Sequence, residues 1–192
     1  MILDPEPEIP ILPKFIPQTR VFHRSEEPEF MAYAYQYGTS SFDGLNPATI
    51  IYPKSVDDVI KAVNYATENN VGIAVRTGGH QYMGQSSTSG KNIQLDLSDT
   101  FGNDAVDFIY IENLNLLRVG VSYSLVEFTH LCIGLKIFVP VGICGGVHLG
   151  GHIQTGGEGA LVRSFGLLGD YVEGFEIVLA SGNHVKIWKP NR

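Results

Sequence analysis

Two side chains in this sequence are placed to act as nucleophiles within glycine-rich loops. His80 closes the run Arg76-Thr77-Gly78-Gly79-His80, and Cys144 opens the run Cys144-Gly145-Gly146-Val147-His148-Leu149-Gly150-Gly151-His152. Gly142, Gly145, Gly146, Gly150, Gly151, Gly156, Gly157 and Gly159 crowd the second region. Glycine lets backbone N–H groups come close to a bulky or anionic ligand. A cysteine in such surroundings can favour the nucleophilic thiolate. The chemistry implied is a cradle that can also bond to what it holds. Residue by residue, a hydrogen-bonded structural histidine and an inert cysteine in an irregular loop remain open readings.

The familiar nucleotide motifs do not fit these loops. There is no Gly-Lys-Ser/Thr for a phosphate loop, and Gly157-Glu158-Gly159 is followed by Ala160, Leu161 and Val162, so the dinucleotide fingerprint lacks its third glycine. His148 and His152, with His80 and Glu158, form an alternative zinc-type set. The glycines between the two histidines argue against a rigid helix presenting both. Cys132 lies in an apolar, helix-like stretch and reads as a buried small hydrophobe.

The elements that must carry these loops are legible. Ile50-Ile51-Tyr52 reads as a strand. Residues 55–70 read as a helix, with Ser55 as N-cap, Asp57 and Asp58 in the first turn, and Val56, Val59, Ile60 and Val63 on one face. Residues 71–75 form a buried-type strand running into the His80 loop, and residues 93–97 form a further strand, apolar at alternate positions. Residues 108–111 and 116–121 read as a hairpin around Asn113-Leu114-Asn115. Ser122 or Ser124 caps a helix through Leu131. Residues 136–139 read as a short strand entering the Cys144 loop, and residues 161–165 as one or two helical turns. Residues 175–180 and 184–188 form a last hairpin over Ser181-Gly182-Asn183. The pattern is α+β, with no internal repeat.

Composition bounds the function. The 192 residues are 44% hydrophobic and 17% charged, a globular balance able to bury a core. A net charge of −7 argues against a nucleic-acid partner. No apolar run is long enough to span a membrane. Residues 1–20 are proline-rich and read as an extended arm, followed by a mixed stretch with Tyr33, Tyr35 and Tyr37. The acidic start lacks the features of a secretory signal, which makes the cytoplasm the default expectation. Two cysteines make no disulfide framework.

Taken together, the chain resembles the N-terminal flavin-binding part of the berberine bridge enzyme-like oxidases, within the vanillyl-alcohol oxidase/p-cresol methylhydroxylase (PCMH) superfamily. The likeness rests on residues 46–53 with 55–59, on the His80 loop, and on residues 144–159 followed by Arg163, Gly166-Leu167 and Asp170. It implies a PCMH-type FAD-binding domain of two α/β subdomains over residues 46–192, preceded by an arm and extension over residues 1–45. It implies FAD held by two bonds, from His80 to the flavin 8α-methyl and from Cys144 to flavin C6. It implies further cofactor contacts from Arg76 and from the backbone of Thr77, Gly78, Gly79 and Gln81, which with nearby Ser86 would face the pyrophosphate. Gly142, Gly146, Gly150, Gly151, His152, Gly156 and Gly159 would line the ring, ribityl chain and adenosine, and the Val178 backbone would meet the adenine. Val147 matches the position facing the oxygen-accessible side of the flavin, and its compact side chain implies oxidase chemistry.

The activity implied is oxidation of an alcohol, sugar or benzylic small molecule with O2 as acceptor. The sequence departs from the family pattern at His148 and Thr155, where glycine is common, and at Glu158, where an aromatic residue is common. Family members are more than twice as long. The resemblance therefore implies that the substrate domain and the catalytic base fall outside these residues. It leaves a non-catalytic flavin-binding fragment with an exposed sheet face as the alternative.

Overall fold

The computed structural model describes residues 19–24, 30, 34, 44–102, 108–111 and 115–190. The arm over residues 1–18 and the tyrosine patch at Tyr33, Tyr35 and Tyr37 lie outside them. Four strands form the first sheet: β1 (Arg20–His23), β2 (Thr49–Tyr52), β3 (Ile73–Arg76) and β4 (Ile93–Asp96), in the order β1-β2-β4-β3. β1 runs antiparallel to β2, while β2 and β3 both run parallel to the central β4. Helix α1 (Val56–Glu68) connects β2 to β3 across one face. Its Val59, Ala62 and Tyr65 pack with Ile51, Val71, Ile93 and Leu95 into the first core. Ser55 caps the helix through a bond from the Asp58 backbone N–H at 3.2 Å. On the other face, Phe30, Ala34, Ile50 and Tyr52 make a smaller core.

Both faces of β2 and β4 are covered, so every residue in these two strands is buried. The polar Thr49, Gln94 and Asp96 of these strands are therefore buried with the apolar residues. The strand expected over 71–75 is shifted to 73–76. Val71 instead donates its N–H to Ala66 O and finishes the helix.

The second half is built on helix α2 (Leu125–Leu135). Its start is a complete capping box in which Ser124 and Glu127 bond reciprocally. Tyr123, Leu125, Phe128, Cys132, Leu149 and Leu168 form its core. The strand expected over 136–139 is absent. Lys136 sits in the left-handed region at φ 57°, its N–H and that of Ile137 close the helix end, and the following residues pair with no strand among the described residues.

Two antiparallel hairpins flank this unit: β5 (Phe108–Ile111) with β6 (Leu116–Val119), and β7 (Gly174–Val178) with β8 (His184–Trp188). Asn113 and Leu114 of the first expected turn lie outside the described residues. The second turn forms over Ser181-Gly182-Asn183, with Gly182 at φ 79°. Phe175, Ile177 and Ile187 are exposed on this hairpin. No helix among the described residues is long and apolar enough to cross a membrane.

Candidate functional site

The His80 loop leaves the C-terminal end of β3, where the chain emerges from the parallel sheet. Arg76 and Asp96 are partners across β3 and β4, and Arg76 Nε donates to Asp96 Oδ2 at 2.5 Å. Both side chains are buried: Asp96 is 0% and Arg76 8% exposed. Asp96 also accepts from Ser98 N–H at 3.0 Å, and Gln94, beside it, accepts from the Ser87 hydroxyl at 2.8 Å. Tyr52 adjoins the pair, and burial together with the Asp96 charge pushes its phenol up to about 12. The Arg76 guanidinium is thereby committed to Asp96. The sequence signal for this network was slight: a lone acid and a glutamine in an otherwise apolar strand.

Beyond Arg76 the chain turns at Gly79, whose φ of +66° suits glycine. His80 Nδ1 lies 2.8 Å from Gly78 O. A carbonyl only accepts, so Nδ1 is the donor and Nε2 carries the lone pair of the neutral ring. Gln81 folds its side-chain oxygen onto the N–H groups of Met83 and Gln85 and shapes the next turn, and Ser86 is buried.

The Cys144 loop is positioned differently. Residues 145–150 lie antiparallel to residues 121–126. Leu125 N–H donates to Val147 O at 2.8 Å, Val126 to Gly145 O at 3.1 Å, Leu149 to Tyr123 O at 2.9 Å and Gly150 to Val121 O at 2.8 Å, with Ser124 and His148 bridged between them. That ribbon is tied to the first sheet by Ser122, whose hydroxyl donates to Leu97 O and whose N–H donates to Phe101 O. Helix α3 (Leu149–Gln154) then begins with His148 as N-cap. The double glycine therefore does not prevent a helix, because the buried Leu149 and the ribbon hold it from outside. α4 (Val162–Phe165) and a 3-10 turn (Leu168–Tyr171) complete the region.

These supports bring the two loops into contact. A Cβ added at Gly146 would lie 3.3 Å from His80 Nε2, and Gly146 is two residues beyond Cys144. A Cβ at Gly78 would lie 2.7 Å from His148 Cδ2 and 3.1 Å from Gly146 O, and one at Gly150 would lie 3.2 Å from Thr77 Cγ2. Cys144 is exposed, as are Gly146 and Gly151, and nothing lies within 4 Å of a Cβ added at Gly151. Cys132, by contrast, is buried, and burial pushes its thiol up to about 11.

Other residues expected to meet the cofactor also make contacts within the protein. His152 Nε2 accepts from Gly142 N–H at 2.9 Å, so its ring is spent on the chain before Cys144, and burial lowers its pKa. Gly159 passes so close to Val141 that a Cβ would lie 2.0 Å from the Val141 carbonyl oxygen. Gly156 accepts the Gly169 N–H at 3.0 Å. Val147 is half-buried against the α2 core, and Val178 packs on the α1 core. Among the described residues no group of three His, Cys, Asp or Glu side chains is placed to hold a metal ion.

The residues present fit FAD on the structure's own terms. The two loops approach each other at Gly78, Gly146 and Gly150, where a Cβ would crowd the facing loop, and a nucleophile stands on each. Comparison with known proteins agrees. Residues 47–187 match the FAD binding domain family. The chain is 34% identical over 152 residues to the FAD-linked oxidoreductase sorD of Penicillium rubens, covering 78% of this chain and 31% of that protein. It is 35% identical over 148 residues to berberine bridge enzyme-like 19 of Arabidopsis thaliana, covering 77% and 25%. Among solved structures it is similar to 6-hydroxy-D-nicotine oxidase from Arthrobacter nicotinovorans, with a TM-score of 0.79 and 25% identity over 89% of this chain and 36% of that one. The chain belongs to the FAD binding domain family, among berberine bridge enzyme-like FAD-linked oxidoreductases. It spans about a third or less of the length of these relatives.

Proposed function

We propose that this chain is the flavin-binding part, residues 46–192, of an oxidase that holds FAD through two bonds, at His80 and Cys144. The observation that carries the reading is the meeting of the two loops, which sets His80 against Gly146, two residues from Cys144. When bound, FAD would supply the redox chemistry, accepting hydride from an alcohol, sugar or benzylic carbon and passing electrons to O2. The chain's own residues supply placement. The Nδ1–H bond to Gly78 O orients the His80 ring, with Nε2 toward Gly146. Cys144, two residues before Gly146, is a free and exposed thiol. Gly78 and Gly150 let the backbones pass close to the His148 ring and the Thr77 methyl. Val147 and the oxidase activity named for a structural relative support O2 as acceptor.

The tether is tested by acid precipitation of FAD-loaded protein and absorbance of pellet and supernatant. Colour is expected in the pellet for the native chain, and also, from the remaining tether, for His80→Ala or Cys144→Ala alone. The double variant should release it all. Native protein that leaves all its colour in the supernatant sinks the covalent claim. A second reading, a chain that binds FAD weakly and is not catalytic, is favoured by the exposed Phe175, Ile177 and Ile187. Soluble, monomeric protein stoichiometric in FAD counts against it.

A further inference from the structure

We propose that His148 is the positioning residue that keys the His80 loop to the Cys144 loop, and that it does so only as a neutral imidazole, so that flavin binding weakens in acid. The inference rests on reading the two loops as a flavin cradle. His148 stands where three supports join. Its backbone is bridged to Ser124, its carbonyl accepts from His152 N–H at 3.1 Å at the start of α3, and its ring fills the space in front of Gly78. The distance from His148 Cδ2 to the position of a Gly78 Cβ, 2.7 Å, means that the ring sets how closely the loops approach.

Its Nδ1 is sealed from solvent and has no hydrogen-bond partner among the described residues. A neutral ring can leave only a lone pair there. A cationic ring must place an N–H in the same spot, with nothing to accept it.

The groups that face His148 explain why the neutral form is kept. Burial is the largest influence and lowers its pKa from the usual 6.5, and His80 on the first loop lowers it further. Glu127 at the start of α2 and Asp96 on β4 act in the opposite sense. However, Glu127 is engaged by the Ser124 N–H and hydroxyl, and Asp96 by Arg76. The sign follows. A folded-state pKa below the unfolded one contributes stability that is complete above the unfolded value and is lost as the pH falls through it toward the folded one.

The test uses the 192-residue chain with both tethers removed (His80→Ala with Cys144→Ala), so that FAD binding is reversible and can be followed by flavin fluorescence quenching. His148→Phe keeps a flat ring that cannot titrate, and His148→Gly removes the ring. With native His148, affinity is expected to fall about threefold or more between about pH 7.5 and about pH 5.5. In the His148→Phe variant it should change less than about twofold, and in the His148→Gly variant it should be weak at both. An unchanged acid loss in His148→Phe, or native affinity in His148→Gly at the higher pH, overturns the proposal.

Thermal midpoints of the cofactor-free native chain and its His148→Phe variant, taken at the same two pH values, decide the matter even if no FAD binds. In that event the cradle reading fails by itself. An acid drop larger in the native chain supports a neutral His148, and equal drops overturn it. His152, shifted in the same direction, is present in both and cancels.

Discussion

The His80 loop hangs from a buried ion pair, whereas the Cys144 loop is held by backbone pairing and by glycines that clear space for neighbouring chain. Arg76 and Asp96 secure the first at the end of a parallel sheet. The second depends on the ribbon with residues 121–126, on the His152 bond to Gly142 and on the close pass of Gly159 over Val141. One loop is thus vulnerable to loss of a charge and the other to gain of a methyl group. His148 and His152, whose pKa values burial lowers, make the second directly sensitive to protonation. A flavin bridging both would be held by two supports that fail under different conditions.

The largest effect is expected from Asp96→Asn, which leaves the Arg76 guanidinium buried without its counter-charge. Removing one member of a buried pair costs about 3–5 kcal/mol. Urea unfolding should show that loss, and limited proteolysis should find new cleavage in residues 81–90.

Gly159→Ala should cost about 3 kcal/mol by overpacking against the Val141 carbonyl. It should loosen the Cys144 side, seen as faster Cys144 labelling by a thiol reagent, while leaving residues 81–90 protected. Equal effects of both variants on both loops would erase the contrast.

Gly78→Ala probes the junction. It should cost about 1–2 kcal/mol alone and less when combined with His148→Gly, with a coupling of about 1 kcal/mol in a double-mutant cycle.

His152→Phe tests the protonation claim. The lowered His152 pKa means that its contribution is complete above the ordinary value of 6.5 and is lost as pH falls below it. The native-minus-variant difference in melting temperature should therefore shrink in acid.

The smallest effect belongs to the exposed bridge from Arg118 on β6 to Glu176 on β7, 3.0 Å long. Arg118→Ala should cost less than about 1 kcal/mol and vanish in high salt.

Much of this molecule was readable before folding was considered. Ser55, Asp58 and the apolar spacing after them defined α1, the Ile50-Ile51-Tyr52 run marked β2, and alternation from Ile93 marked β4. Glycine with His80 and Cys144 marked both loops. What escaped notice depended on partners distant in sequence. The partner of Arg76 is Asp96, twenty positions on, and nothing local in the sequence joins the two. Residues 136–139 read as a strand because they are apolar, yet a strand needs a neighbour, and Lys136 turns the chain away from one. Leu149–Gln154 is a helix despite its glycines, because burial of Leu149 and the ribbon outweigh propensity.

By itself the sequence determined which residues can do chemistry and which short elements carry them, since side-chain type, capping and local periodicity are properties of neighbours along the chain. Only the tertiary structure decided that His80 faces Gly146, that Arg76 pairs with Asp96 and His152 with Gly142, and that His148 wedges against Gly78. Those outcomes depend on ångström-scale clearances between segments far apart in sequence.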